Sequence, residues 1–297
     1  MRALGDNFLE IVEDGPLKKE LAIFEANIKE RTAQISGVEV NYYSFGMGDK
    51  TLLLLPGSTG KSITYFRYLE ALAKEYKIIT LSYPIVTGME HMLEVIEGLL
   101  DYETIEEYYI FGQSFGGMLA QIIAKRNKKN VKGIILAHTN TLTNQIDKKL
   151  VKKNIASVKT FKRSINGFSY GRFRKNFAKR ISKGVNMADI DNKAFWNDFY
   201  VALLVNTAKE DMNSLYNCLL EFWIDYAIDV DEFKGWKGKA LIIEAETDHI
   251  YNMPEKEQMK ELFKKHETYD FAGSSNMAIV KNRELLLEKL VLFIRNN

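Results

Sequence analysis

The chain has 297 residues, 46% hydrophobic and 27% charged, with a formal net charge of +2. This excludes intrinsic disorder, allows one large domain or a domain with an insertion, and gives no global case for nucleic-acid binding. A single cysteine, Cys218, excludes an internal disulfide and fits a reducing compartment. With no apolar signal core at the N-terminus and no run near the roughly 18–20 apolar residues of a membrane span, the expectation is a cytoplasmic soluble protein.

From about residue 33 the sequence alternates strand and helix signals. Val38–Tyr43 has apolar residues at period two and reads as a strand. The turn Gly46–Asp49 follows, and Thr51–Leu55 is a short unbroken apolar run, as expected for a strand buried on both faces. Residues 62–76 place Tyr65, Leu69, Leu72 and Tyr76 at helical spacing. Ile78–Tyr83 is another strand, ended by Pro84. Met92, Val95, Ile96, Leu99 and Leu100 mark the next helix, before strand Tyr108–Phe111, a serine-bearing turn, a helix through Met118–Ala124, and strand Gly133–Ala137. Such alternation with short connections predicts a mostly parallel, doubly wound α/β sheet, with functional groups gathered at the C-terminal ends of its strands.

The alternation stops near Thr141 and resumes at Lys239–Ala245, so residues 142–236 are expected to form an inserted, mainly helical lid on a core made of 1–141 and 237–297. Its first part, Lys148 to Lys183, holds thirteen Lys or Arg residues and no Asp or Glu, whereas Asp189 to Glu232 is acid-rich and aromatic. Either the basic helical face is solvated and pairs with the acidic neighbour, or residues 148–183 attract an anionic ligand, a membrane surface or an acidic protein partner. The stretch matches no nucleic-acid reading motif. Beyond the lid come helix 254–265, strand Glu267–Phe271, a Gly273-Ser274-Ser275 loop, and a final helix whose Leu287, Leu290, Val291 and Ile294 share one face.

Gly112-Gln113-Ser114-Phe115-Gly116 spells Gly-x-Ser-x-Gly between a strand and a helix. A serine on so sharp a turn has strained backbone angles and needs small residues two before and two after it. Ser114 is therefore the candidate nucleophile, and the amides opening the following helix would face negative charge developing on a substrate oxygen.

Together these residues resemble the α/β-hydrolase fold over 33–141 and 237–297. By that likeness Leu55–Gly60 is the loop after the third strand, and the N–H groups of Phe115 and of Ser58 or Thr59 form the oxyanion hole. Glu244–Asp248 resembles the loop that presents the acid, which gives Asp248 the orienting role. The family's histidine position, after the small-residue turn Gly273–Ser275, falls on Asn276, and no histidine follows His266. An amide cannot take the serine's proton at neutral pH, so the usual base is missing, whether naturally or by engineered replacement of a histidine.

Among subgroups, the chain is similar to maspardin-like proteins, which share this substitution. The likeness rests on Leu81-Ser82-Tyr83-Pro84, Glu90-His91, Phe111–Gly117 with Leu119-Ala120-Gln121, and Asn276. It implies hydrolase-fold proteins of doubtful catalytic competence that act in protein binding. Two readings stand: a serine hydrolase for an ester- or thioester-like small molecule held under the lid, with an altered triad, or a non-catalytic binding protein. All four histidines read first as surface or hydrogen-bonded structural residues; His138, following Gly133–Ala137 at the catalytic edge of the sheet, is the best-placed substitute base, ahead of His249, His91 and His266. The histidines lack ligand spacing, so no metal is expected. Gly57–Ser62 lacks the first glycine of a phosphate-binding loop, and no dinucleotide signature occurs, so no cofactor is expected either.

Overall fold

The computed structural model describes residues 3–167, 169–245, 253–271 and 277–297. Its strands are β1 (Arg31–Ile35), β2 (Val38–Phe45), β3 (Thr51–Leu55), β4 (Lys77–Ser82), β5 (Tyr108–Gln113), β6 (Val131–Ala137), β7 (Lys239–Ala245) and β8 (His266–Phe271). They form one sheet in the order β1-β2-β4-β3-β5-β6-β7-β8. The pairs β1–β2 and β2–β4 are antiparallel and the others parallel. This is the doubly wound, mostly parallel α/β sheet that the alternation predicts, with an antiparallel edge added to it.

That edge begins before the first strand expected from sequence. Strand β1 buries only Ala33 and Ile35, too weak a pattern to stand out. It joins β2 through Ser36 and Gly37, both at positive φ (48° and 81°), the two-residue hairpin geometry that matches strand twist.

Strand β3 shows how the sheet divides the interior. All five of its residues are buried; Leu53 and Leu55 belong to one core, Leu52 and Leu54 to the other, as period-two side chains must. The helices are α1 (Phe8–Ile11), α2 (Pro16–Asn27), α3 (Phe66–Leu72), α4 (Met89–Tyr102), α5 (Phe115–Arg126), α6 (Lys148–Ile165), α7 (Tyr170–Met187), α8 (Lys193–Val205), α9 (Lys209–Asp225), α10 (Met253–Leu262), α11 (Ala278–Lys281) and α12 (Arg283–Arg295). On the first face α4 and α5 bury Ile96, Leu99, Leu119 and Ile123. On the second, α3 and α12 bury Leu69, Leu290 and Phe293.

The helical period read over 62–76 resolves into a 3₁₀ turn, Ser62–Tyr65, and a shorter α3. Two N-terminal helices not foreseen from sequence dock on the second face, where the Phe8 ring meets Phe195 and Phe199 at 6.2 Å and Phe24 meets Tyr43 at 5.4 Å. Between β6 and β7 the described residues form α6 to α9, with α6 packed on α9 and α7 on α8. Their capping is local: the Asp147 carboxylate accepts from the Lys149 amide at 2.8 Å, and the Ser169 hydroxyl from the Arg172 amide at 3.3 Å.

Candidate functional site

Strand β5 runs straight into α5, and Ser114 is the single residue between them. Its backbone sits at φ 51°, ψ −118°, a region side-chain-bearing residues rarely enter. The Ser114 amide donates to Ala137 O at 3.0 Å, anchoring the turn to the end of β6. The Ser114 carbonyl accepts from the Gly117 and Met118 amides at 2.9 and 3.3 Å and from the Thr139 hydroxyl at 2.6 Å.

Steric closeness explains the glycines. A Cβ on Gly112 would lie 2.4 Å from Gly116 O, one on Gly116 2.0 Å from Leu55 O, and one on Gly117 2.6 Å from the Thr139 side chain. The chain therefore crosses beside β3 and β6 only because those three positions carry no side chain.

The loop after β3 rests against this turn. A Cβ on Gly57 would be 3.5 Å from Ser114 Cβ. The loop closes through the Gly60 amide donating to Gly57 O at 3.0 Å, with Gly60 at φ 65°. Two buried phenols pin its start: Tyr65 Oη donates to Leu55 O at 2.8 Å and Tyr83 Oη to Pro56 O at 2.7 Å. Burial pushes both phenols well above their ordinary value, so they remain protonated donors. The Tyr83 ring also meets Phe115 edge-on at 5.7 Å. Phe115 opens α5, and amides of a first helical turn have no intrahelical acceptor, so its N–H is available to an anion.

A cavity of about 320 Å³ adjoins the loop, lined by Ser58, Thr59, Met277 and apolar residues of the inserted helices, among them Val185, Leu203 and Met212. Ser114 is not among the described residues that line it. The connection runs through the loop, whose Gly57 lies against Ser114 and whose Ser58 and Thr59 face the cavity.

Of the histidines, His138 directly follows β6. It is buried, has φ 46°, and donates its amide to Ile243 O at 3.0 Å. Its ring lies 6.5 Å from that of Phe271 at the end of β8, so it occupies the same sheet edge as Ser114. His91 Nε2 is 2.9 Å from Ser36 O, and His266 opens β8 at the opposite edge with Nδ1 2.6 Å from Phe263 O; both are engaged structurally. Asp248, His249 and Asn276, the sequence-based acid, its neighbour and the residue at the base position, lie outside the described residues.

Sequence reasoning assigned no role to Gln121. Fully buried, its amide nitrogen donates to Gly117 O at 3.0 Å and Asn140 O at 2.8 Å, and its oxygen accepts from the Thr141 hydroxyl at 2.6 Å. It locks the helix behind Ser114 to the segment leaving β6. The signal was a lone polar residue in an otherwise apolar helical run.

Residues 50–282 match the alpha/beta hydrolase fold family. The chain belongs to that family. Human maspardin is 32% identical over 91 residues, 30% of each chain. The Arabidopsis thaliana chloroplastic phytyl ester synthase 1 is 34% identical over 97 residues, 31% of this chain and 14% of the relative. The chain thus spans less than a third of the length of these curated relatives. Among solved structures, the carboxylesterase CesB of Bacillus subtilis superposes with a TM-score of 0.70 over 94% of this chain and 95% of its own, at 14% identity, a likeness of fold. The likeness to maspardin covers only 30% of the chain, and among the described residues no helix is long and apolar enough to cross a membrane.

Proposed function

We propose that the protein is a serine-hydrolase-type enzyme for an ester- or thioester-like acyl substrate bound beneath helices 142–236, which act as a lid on the core formed by 1–141 and 237–297. Ser114 is the nucleophile, the amides of Phe115 and of Ser58 or Thr59 bind the oxyanion, Asp248 orients the base, and Asn276 occupies the base position. The observation that carries this reading is the retained strain at Ser114: φ 51° on a serine, held by three glycines that tolerate no Cβ, is a costly backbone state kept where a nucleophile would need it. The apolar cavity beside Ser58 and Thr59 supplies room for an acyl chain. The reading keeps a cytoplasmic setting, in which Cys218, its thiol pushed up to about 12 by burial and then by nearby Glu221, stays an inert core residue.

One observation favours a second reading. Asparagine at position 276 cannot act as a general base, so the pocket and oxyanion amides serve binding alone, as in a scaffold protein. Asn276→His separates the two. With Ser114 and its oxyanion donors retained, the variant should hydrolyse a short p-nitrophenyl ester roughly 10²-fold faster or more, and Ser114→Ala in that background should remove the gain. A folded Asn276→His protein with no gain favours the binding reading. Rapid Ser114-dependent turnover by the unaltered protein points instead to a substitute base, for which His138→Ala is the deciding variant.

A further inference from the structure

Helices α6 and α7 carry thirteen Lys and Arg residues and no acid in a chain whose net charge is +2, so the remainder of the molecule is strongly negative. Elsewhere a number of cations are paired, among them Arg67 with Glu20, Lys77 with Glu103, and Arg126 with Glu90 and Glu97. Among the described residues none of the thirteen makes an ion pair. Two of the four acids of the neighbouring α9 are engaged otherwise, Glu221 accepting from the Met89 amide at 2.6 Å and Asp211 from the Ala208 amide at 3.0 Å. Among the described residues the basic stretch thus forms no direct ion pair with its acidic neighbour, which leaves its cations facing solvent or a partner.

Two further features narrow the partner. The cations are spread along two helices of 18 residues, each about 27 Å long, so one phosphate or carboxylate would engage few of them while an extended negative surface would engage most. Where the helices meet, the Phe161 ring packs edge-on against Phe173 and Phe177 at 5.5 and 5.2 Å. These rings line a groove of about 260 Å³ that Arg172 and Arg180 also border. Phe177 and Arg180 line the 320 Å³ cavity as well, so the groove adjoins the chamber that reaches Ser58 and Thr59. Phe173 is buried in a small core with Ile165 and Met212, but Phe161 and Phe177 are only half-buried against it; an acidic protein would answer the charges alone, whereas an anionic bilayer supplies both counter-charge and apolar chains for those ring edges.

We propose that α6 and α7 dock the protein on an anionic lipid bilayer, the lysines and arginines against headgroups and the aromatic groove toward acyl chains. The docking does not depend on hydrolysis, and ether-linked lipids keep the test independent of it. In sedimentation with vesicles at about 0.1 M salt, the full chain should bind phosphatidylcholine vesicles containing roughly one third phosphatidylserine, ignore phosphatidylcholine alone, and be released near 0.5 M salt. Replacing the exposed Lys152, Lys153, Lys175 and Lys179 by Glu should weaken binding roughly 100-fold or more. The four Lys→Gln changes give a milder set should the reversal impair folding, read against circular dichroism. Equal binding to both vesicles, no binding to either, or retention by heparin or polyglutamate with vesicles ignored would each overturn the proposal.

Discussion

Ser114 is the residue at which the fold holds an unfavourable state. At φ 51°, ψ −118° any side chain with a Cβ pays a steric penalty of about 1–3 kcal/mol, which glycine largely escapes. Ser114→Ala keeps the Cβ and the strain, so its stability should match the unaltered protein within about 0.5 kcal/mol. Ser114→Gly relieves the strain, offset in part by the greater freedom of glycine in the unfolded chain, and should exceed Ser114→Ala by about 1 kcal/mol in urea unfolding. Equal stabilities would mean that the turn is not strained. The candidate nucleophile was legible because Gly112, Ser114 and Gly116 lie within five residues. The groups that fix it were not: Gly117 is required by Thr139, Gly116 by Leu55, and the loop is pinned by Tyr65 and Tyr83, all contacts that no local pattern announces.

At the scale of elements, β3 and β7 could be read to the residue because strands buried on both faces are continuous apolar runs. Strand β1 could not, since it buries only Ala33 and Ile35, and the N-terminal helices could not, since Phe8 packs on Phe195 and Phe199, distant in sequence. Glu103, one residue past α4, shows how the edge is held. Its carboxylate accepts from Tyr42 Oη at 2.9 Å and Ser44 Oγ at 2.6 Å on β2, and it pairs with Lys77 on β4 and Arg31 on β1 at 3.6 and 3.3 Å. Burial alone would raise its pKa, but these hydrogen bonds and cations outweigh burial and hold the carboxyl below its ordinary value of 4.5. A carboxyl depressed in the folded state contributes stability that is fully present above its unfolded pKa and is lost as pH falls through the folded one. Glu103→Gln should therefore cost about 1–3 kcal/mol near neutral pH, and the difference from the unaltered protein should shrink below pH ~4. A gap in unfolding free energy that stays constant to low pH would remove the electrostatic account of this edge.

Across the whole molecule, the helices between β6 and β7 do not sit apart from the sheet's two cores. Helix α8 sends Phe195, Trp196 and Phe199 into the core that holds α3 and α12, whereas α9 sends Cys218, Phe222 and Trp223 into the opposite one. Trp196 lies 6.1 Å from Phe66. The Val86 amide donates to Ser214 Oγ at 2.9 Å, and that hydroxyl lies 3.2 Å from Val86 O as a donor. The break in alternation near residue 141 was legible in the sequence; the division of these aromatics between two faces was not, because helical periodicity shows that a face is apolar without showing what it meets. Such shared burial predicts that the inserted helices unfold with the sheet and not before it. The three tryptophans are Trp196, Trp223 and Trp236, the first two in the inserted helices and the third just before β7, while far-UV circular dichroism reports the whole chain. In urea the fluorescence and dichroism transitions should coincide. A fluorescence transition complete at lower urea, with most of the dichroism retained, would show that the helices detach as a unit and that the two cores survive without their aromatic side chains.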